Sequence, residues 1–439
     1  MMSERYIAAV EISSSKIIAS IGKTSGDGQL DVVAVEEENE VEGVRYGIIQ
    51  NLEETSVRVS RLFSQLERRS GVAPRKIKGV FVGLSGRSLK SITTEVSLNL
   101  PDATEITEEI ISRLSEDAKR KAIDNTLEVV DAVPRIYHVG NAETHSPKGA
   151  VGNSIQATYD LIVCRPELKR NLTRTIPDKL GVRIEGFVVT ALATGHLILT
   201  PDEKRLGCML VDMGAETTTV TIYRKGCLRY FATLPFGGRN ITRDITSLNV
   251  LEERAEQIKI ASGNAMGQDT PSSLNMNGVK LTDVNNLVVA RAEEIVANVM
   301  EQIEYAGMKE TDLPGGIVCI GGGIKLQGML DLLELQSGLQ VRRGMLPQYV
   351  HLEDGQAANK NLIQVISVLY AGATLSNQEC LEIQQKEQIP VTGEAPIEEQ
   401  PRPKQQSERR RRTNRFVEGL TRRIGGLFGN PDDDSELME

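Results

Sequence analysis

Three short segments of this chain carry residue types suited to holding an anionic ligand. Gly321-Gly322-Gly323 lies between an apolar, strand-like run, Gly316–Ile320, and a helical pattern over Leu326–Leu335, with Lys325 at the junction. Glycines at a strand-to-helix turn let a ligand approach the backbone closely, and a helix N-terminus favours anionic groups. A plain tight turn has the same composition. In the second segment Asp212 closes the apolar run Cys208–Asp212, and Gly214, Ala215, Glu216, Thr217 and Thr218 follow. An acid at the end of a buried strand can hold a hydrated Mg2+, while turn amides and Thr hydroxyls reach phosphate oxygens. An ordinary polar hairpin reads the same way. In the third, Glu256 and Lys259 stand three residues apart, after a loop containing Gly237 and Gly238. That spacing puts both side chains on one helix face, where they could hold ribose hydroxyls or form an exposed ion pair.

The bulk numbers narrow the classes. A chain of 439 residues is long enough for two or more domains. Its formal charge of −9 argues against nucleic acid as the main partner, because phosphate binding needs a basic face. Cys164, Cys208, Cys227, Cys319 and Cys380 are scattered without a CxxC pair, which fits structural thiols in a reducing compartment. The histidines have no metal-ligand spacing. The opening MMSERYIAAVEI lacks the apolar core of a signal peptide, and no run approaches the roughly 20 apolar residues that span a bilayer. These features predict a cytoplasmic location.

The elements that must position the three segments read as two copies of one pattern. Tyr6–Val10 and Lys16–Ile21 predict a hairpin around a Ser-rich turn, Asp31–Glu36 a third strand, Leu52–Arg69 a helix and Ile77–Leu84 a returning strand. From Cys208 the order returns: apolar strand, acid, polar turn, a second strand at Thr219–Tyr223 and a third at Leu228–Leu234. Helices are predicted at Asn240–Leu248, Glu252–Ala261 and Val284–Tyr305. Between the copies, Ser85–Cys164 reads as an inserted α+β subdomain with a charged helix at Glu108–Ile123. A helix at Glu167–Leu180, a strand at Ile184–Val189 and a helix at Thr190–Leu199 then resume the first half.

Beyond Asn377 the composition turns to Gln, Glu and Pro, which predicts a disordered linker over 379–408 with a mean reach of roughly 30 Å. Residues 409–430 are basic and amphipathic. Phe416, Val417, Leu420, Ile424, Leu427 and Phe428 fall within roughly 120° of helical arc, with Arg415 and Arg422 opposite and Arg423 flanking. Such a helix suits an anionic membrane interface, where each arginine adds about 1 kcal/mol. A protein groove is the competing partner for it. An acidic stretch, 431–439, follows.

Taken in order, these stretches resemble a known superfamily. LGCMLVDMGAETTTVTIYRKGCLRY is similar to the second phosphate motif of the actin and sugar-kinase superfamily, GIVCIGGGIKLQGM to its adenosine motif, and Glu256 with Lys259 to its ribose-contacting pair. VFVGLSGRSLKSITTEVSL, VVDAVPRIYHVGN, KGAVGNSIQATYDLIVC and GFVVTALATGHLILTPDEKRLG resemble the FtsA family of bacterial cell-division proteins within it. The resemblance runs from about Tyr6 to Ala373 and implies an α/β, actin-like fold of two duplicated halves. Subdomain 1A would occupy 1–84 and 166–204, an inserted SHS2-like 1C subdomain 85–165, 2A 205–245 and 310–378, and 2B 246–309.

The resemblance also implies ATP and Mg2+ as cofactors. The first phosphate turn would comprise Glu11, Ser13, Ser14, Ser15 and Lys16, with Asp212 and Glu11 holding Mg2+ through water. Here the chain departs from the family. Glu11 replaces a shorter Asp, Ser13 a glycine, Ala215 and Glu216 two further glycines, and Thr219 a frequent second Asp. An ionised Glu216 beside a triphosphate is repelled unless its side chain turns away. These changes imply weak or absent ATPase activity, and no residue is assigned as a catalytic base. The family's role implies a polymerising protein at the division site that tethers filaments of the tubulin-like FtsZ to the inner face of the cytoplasmic membrane and meets later division proteins. The FtsZ C-terminal tail would dock near Val284–Tyr305, with Arg291 a candidate for its acidic residues. An ATPase or phosphotransferase of the same superfamily and a PilM-like pilus-assembly protein are the other readings.

Overall fold

A computed structural model describes residues 4–383, apart from 25–28, 40, 122, 268–274, 277 and 353–361. The strand Arg5–Ile12 is buried on both faces, as its nearly unbroken apolar run requires. It pairs antiparallel with Lys16–Thr24, which pairs in turn with Leu30–Asn39. On its other side lies Gly79–Leu84, parallel, followed by Arg183–Val189, also parallel. Val350–Leu352 adds an edge beside Leu30–Asn39. Reaching a parallel strand needs a crossover, and the helix Leu52–Glu67 supplies it. Val59, Leu62, Phe63 and Leu66 bury its apolar stripe. Asn51 caps it, with its Oδ1 accepting from the Glu54 N–H at 3.1 Å. Asn51→Ala should therefore cost about 1 kcal/mol, read as a lower urea midpoint at unchanged slope.

The second half repeats this ladder. Cys208–Met213 pairs antiparallel with Thr218–Arg224, which pairs with Cys227–Leu234. Ile317–Ile320 and then Val341–Arg343 extend the sheet in parallel on the other side. The expected duplication is present as the same strand order and the same senses. The insert is an antiparallel sheet of Lys90–Glu105, Val151–Cys164, Glu128–Val139 and Ala142–Thr144, with the helix Glu108–Lys119 packed on it. Lys90 pairs with Ala232, so the insert and the second half share one nine-stranded sheet. Arg135 reinforces the joint, donating to Asp160 Oδ1 and Oδ2 at 2.7 and 2.9 Å and to the Arg229 carbonyl at 2.9 Å. Three apolar cores result, one for each half and one for the insert.

Several elements differ from the sequence reading. The helix Pro166–Thr173 passes into a π-helical turn, Arg174–Asp178, where Pro177 has no N–H for a regular ladder. The insert's helix stops at Lys119 rather than continuing to 123. The helix expected from Leu326 begins at Met329, because Gly328 takes a φ of 75° and ends the preceding turn. The helix Ile363–Leu375 was not anticipated, and it packs into the first core. All five cysteines are free, and four are buried. Among the described residues no helix is long and apolar enough to cross a membrane.

Candidate functional site

The first phosphate-like turn is tied down from two sides. Ser13 donates through its N–H and its Oγ to the Lys16 carbonyl, at 3.0 and 2.8 Å. Ser14 Oγ accepts from the Gly47 N–H at 3.1 Å, while Ser15 stays half-buried at the tip. Glu11 turns inward. Its Oε1 accepts from Ser85 Oγ at 2.7 Å and its Oε2 from Thr190 Oγ1 at 2.8 Å. A Cβ at position 83 would lie 1.7 Å from Glu11 Oε2, so Gly83 makes the room that the longer acid needs. Burial pushes the Glu11 carboxyl up to about 7, against the pull of the two hydroxyls, and the nearby Asp212 charge adds to the rise.

Asp212 stands at the end of its strand, half-buried, and accepts from Gln364 Nε2 at 3.0 and 2.9 Å. Burial raises its carboxyl to about 6. Lys16 lies in the same field. Burial lowers its pKa and Lys325 lowers it further, while Glu37, Asp212 and Glu11 hold it up. Two lysines and two carboxyls from both halves, Lys16, Lys325, Glu11 and Asp212, thus share one electrostatic field. Among the described residues no three His, Cys, Asp or Glu side chains cluster as direct metal ligands, so a cation here would rely on water.

The three glycines have separate tasks. At Gly321, φ is 97° and a Cβ would sit 2.2 Å from the Met213 carbonyl oxygen. At Gly323 it would meet Met213 Cγ at 2.5 Å. Only Gly322 opens onto free space. The first and third let the turn press against the strand that carries Asp212, and the middle one has open space before it. The turn continues as the 3-10 segment Gly323–Lys325, so no long helix begins directly behind the glycines.

The second phosphate-like turn closes on itself, with the Gly214 N–H donating to the Thr217 carbonyl at 2.8 Å. The Gly238 N–H donates to the Gly214 carbonyl at 3.0 Å, and a Cβ at Gly237 would strike Ala215 at 2.6 Å. Thr218 Oγ1 donates to the Phe236 carbonyl at 2.8 Å, locking the same loop. Lys259 is not part of an exposed pair. Its Nζ donates to Glu256 Oε2 at 2.6 Å, Thr242 Oγ1 at 2.9 Å and the Gly238 carbonyl at 3.0 Å, and burial lowers its pKa. Glu256 remains partly exposed beside it.

Glu216 does turn away from solvent. Its carboxylate accepts from Arg45, Arg239 and Arg243 and from the Tyr46 N–H. Sequence reasoning missed this cage, together with Ser85, Thr190 and Gln364. A signal for Gln364 existed, since it is a lone amide in an apolar run. Arg291 is engaged with Asp244 at 2.6 and 3.0 Å and with Glu294, rather than presented as a bare cation. The amphipathic segment from Arg415 to Phe428 lies outside the described residues.

Comparison with known proteins places this geometry. Residues 209–365 match the family model described as "Cell division protein FtsA", and residues 86–163 match "SHS2 domain inserted in FTSA". The chain is 30% identical over 369 residues to the cell division protein FtsA of Bacillus subtilis, covering 80% of this chain and 81% of that one. It is 28% identical over 333 residues to the FtsA of Porphyromonas gingivalis, covering 74% and 69%. Among solved structures it is similar to the PilM-PilN type IV pilus biogenesis complex, with a TM-score of 0.57 at 17% identity over 84% of this chain and 97% of that one. The two α/β halves, the SHS2 insert and the extent of these matches show that the chain belongs to the FtsA family of cell division proteins.

Proposed function

We propose that this protein polymerises on the inner face of the cytoplasmic membrane and tethers FtsZ filaments there during division. The observation that supports the reading is the SHS2-type insert, joined to the second half's sheet at Lys90 and Ala232, and contact with a neighbouring copy is assigned to it. The subdomain boundaries given above belong to this reading. Anchoring is assigned to residues 409–430. One such helix binds weakly, and polymerised copies bind together, where avidity adds factors of roughly 10² to 10⁴. The FtsZ tail is assigned to the helix Leu281–Tyr305, where its acids would have to displace Asp244 and Glu294 from Arg291.

The cleft is assigned to ATP. The residues present fit a nucleotide: Lys16 and Lys325 supply positive charge, Gly322 leaves space at the backbone, and Glu256 offers a partly exposed carboxylate to a sugar hydroxyl. Asp212 would face a Mg2+ ion through water, whereas Glu11, whose two oxygens are taken by Ser85 and Thr190, would stand behind it without reaching that water. When bound, that ion would supply charge neutralisation for the phosphates, and this chain's own part is to orient the ligand and exclude water from it.

The test is co-sedimentation of FtsZ with anionic liposomes, using the full chain and a form ending at Glu408. FtsZ should pellet only with the full chain, by at least tenfold over background. If the full chain pellets and leaves FtsZ in solution, the partner assignment fails. If neither form pellets, the tail serves a protein groove.

A further inference from the structure

Arg45, Tyr46, Arg239 and Arg243 form a built oxyanion site around Glu216. The Glu216 side chain is 0% exposed. Its Oε1 accepts from Arg45 Nε and an Arg243 Nη, both at 2.8 Å, and from an Arg239 Nη at 3.4 Å. Its Oε2 accepts from the Tyr46 N–H at 2.7 Å. The donors come from both halves. Arg45 ends the short strand Val44–Arg45 and Tyr46 belongs to the turn before Ile48–Ile49, while Arg239 and Arg243 belong to the helix Gly238–Thr246. Tyr46 is held at a φ of 50°, with the Arg87 guanidinium 4.7 Å from its ring centroid.

Burial alone would favour a neutral carboxyl at Glu216. The main-chain N–H and the guanidinium groups outweigh it and hold the acid below the usual carboxylate range. Several guanidinium groups beside a main-chain N–H are the donor set that receives phosphate groups. Here a carboxylate of the chain fills it. The same cross-half turn also reaches the first phosphate-like turn, through the Gly47 N–H on Ser14 Oγ.

We propose that Glu216 is an internal oxyanion that holds the two halves together in the role a nucleotide's terminal phosphate would otherwise play. It is a positioning residue that removes discrimination, because it makes the closed arrangement indifferent to whether a nucleoside di- or triphosphate is bound. The proposal rests on the cleft being a nucleotide site.

The test is amide hydrogen exchange of residues 44–49 in the full chain without nucleotide, with ADP and with ATP, alongside direct binding of both nucleotides. Wild-type protection should agree within twofold across the three conditions. Glu216→Gly should lose at least tenfold without nucleotide and recover with ATP but not with ADP. Arg45→Ala removes only the half-exposed cross-half partner and should move the same amides by at least threefold, with residues 151–164 of the insert unchanged as the control for folding. The proposal is overturned if ATP raises wild-type protection tenfold over ADP, or if both variants keep wild-type protection. It is equally overturned if ATP binds Glu216→Gly tightly without restoring protection. If the variants lose protection and no form binds either nucleotide, Glu216 still joins the halves and the nucleotide reading is what fails.

Discussion

Gly321→Ala is expected to destabilise the protein by about 2–5 kcal/mol, whereas Gly322→Ala one residue later should change stability by less than about 1 kcal/mol. Two costs combine at Gly321. A φ of 97° is strained for any residue with a Cβ, at about 1–3 kcal/mol. The added carbon also lands 2.2 Å from the Met213 carbonyl oxygen and 2.8 Å from Asp212 Oδ1, and a backbone atom held by strand pairing cannot swing aside as a flexible side chain would. Gly322 has an ordinary φ of −72° and open space before it. Urea unfolding of both variants decides the matter. A Gly321→Ala midpoint within 1 kcal/mol of wild type would mean that the turn is not pressed against Met213. A Gly322→Ala variant as damaged as Gly321→Ala would mean that no space opens at the middle glycine.

Much of the architecture was legible because its signals are local. The strand–acid–turn–strand order at Glu11 and at Asp212 reflects two buried hairpins, and a buried hairpin writes itself as apolar runs around a short polar turn. The insert's change of texture at Ser85 was legible for the same reason. The helix Ile363–Leu375 was not, because it is apolar on nearly every side and so has no period to detect. The start of the helix at Met329 was misplaced because apolar spacing runs on across Gly328, whose left-handed backbone carries no hydrophobic signal.

The site divides along the same line. Glu11, Lys16, Asp212 and the glycines from Gly321 lie close together, since each sits at or just beyond the end of a recognisable strand. What the sequence could not supply were the complements. Glu216 looked like a charge conflict because its neutralising partners are Arg45, 171 positions away, and Arg239 and Arg243, on the following helix. Glu11 looked like a loss of function because the accommodating Gly83, Ser85 and Thr190 lie on other elements. In both places the residue that departs from the family pattern finds its partners on distant elements, and only the folded chain brings the two together.

Glu11→Gln is expected to be more stable than wild type at pH 8, by about 3 kcal/mol, and within about 1 kcal/mol of it at pH 5. The Glu11 carboxyl titrates near 7 in the folded chain against 4.5 ordinarily, with burial the main cause. Between those values the folded protein holds a proton that the unfolded chain has released. Stability therefore falls as pH rises, at up to about 1.4 kcal/mol per unit across the window. The contribution is fully present below 4.5 and is lost as pH passes through 7. Asp212 titrates near 6 instead of 3.8 and slopes the same way at lower pH, though its partial exposure weakens the effect. Glutamine reproduces the protonated acid in size, its Oε1 accepting from one of the Ser85 and Thr190 hydroxyls and its Nε2 donating to the other, which turns to accept. Urea unfolding at pH 5, 6, 7 and 8 reads both forms directly. A wild-type curve parallel to that of Glu11→Gln would show that Glu11 is ionised throughout, with enough charge facing it to hold it so. A diverging pair would establish that the first phosphate-like turn is built around a proton at neutral pH, which a shorter, more exposed aspartate in its place would not retain.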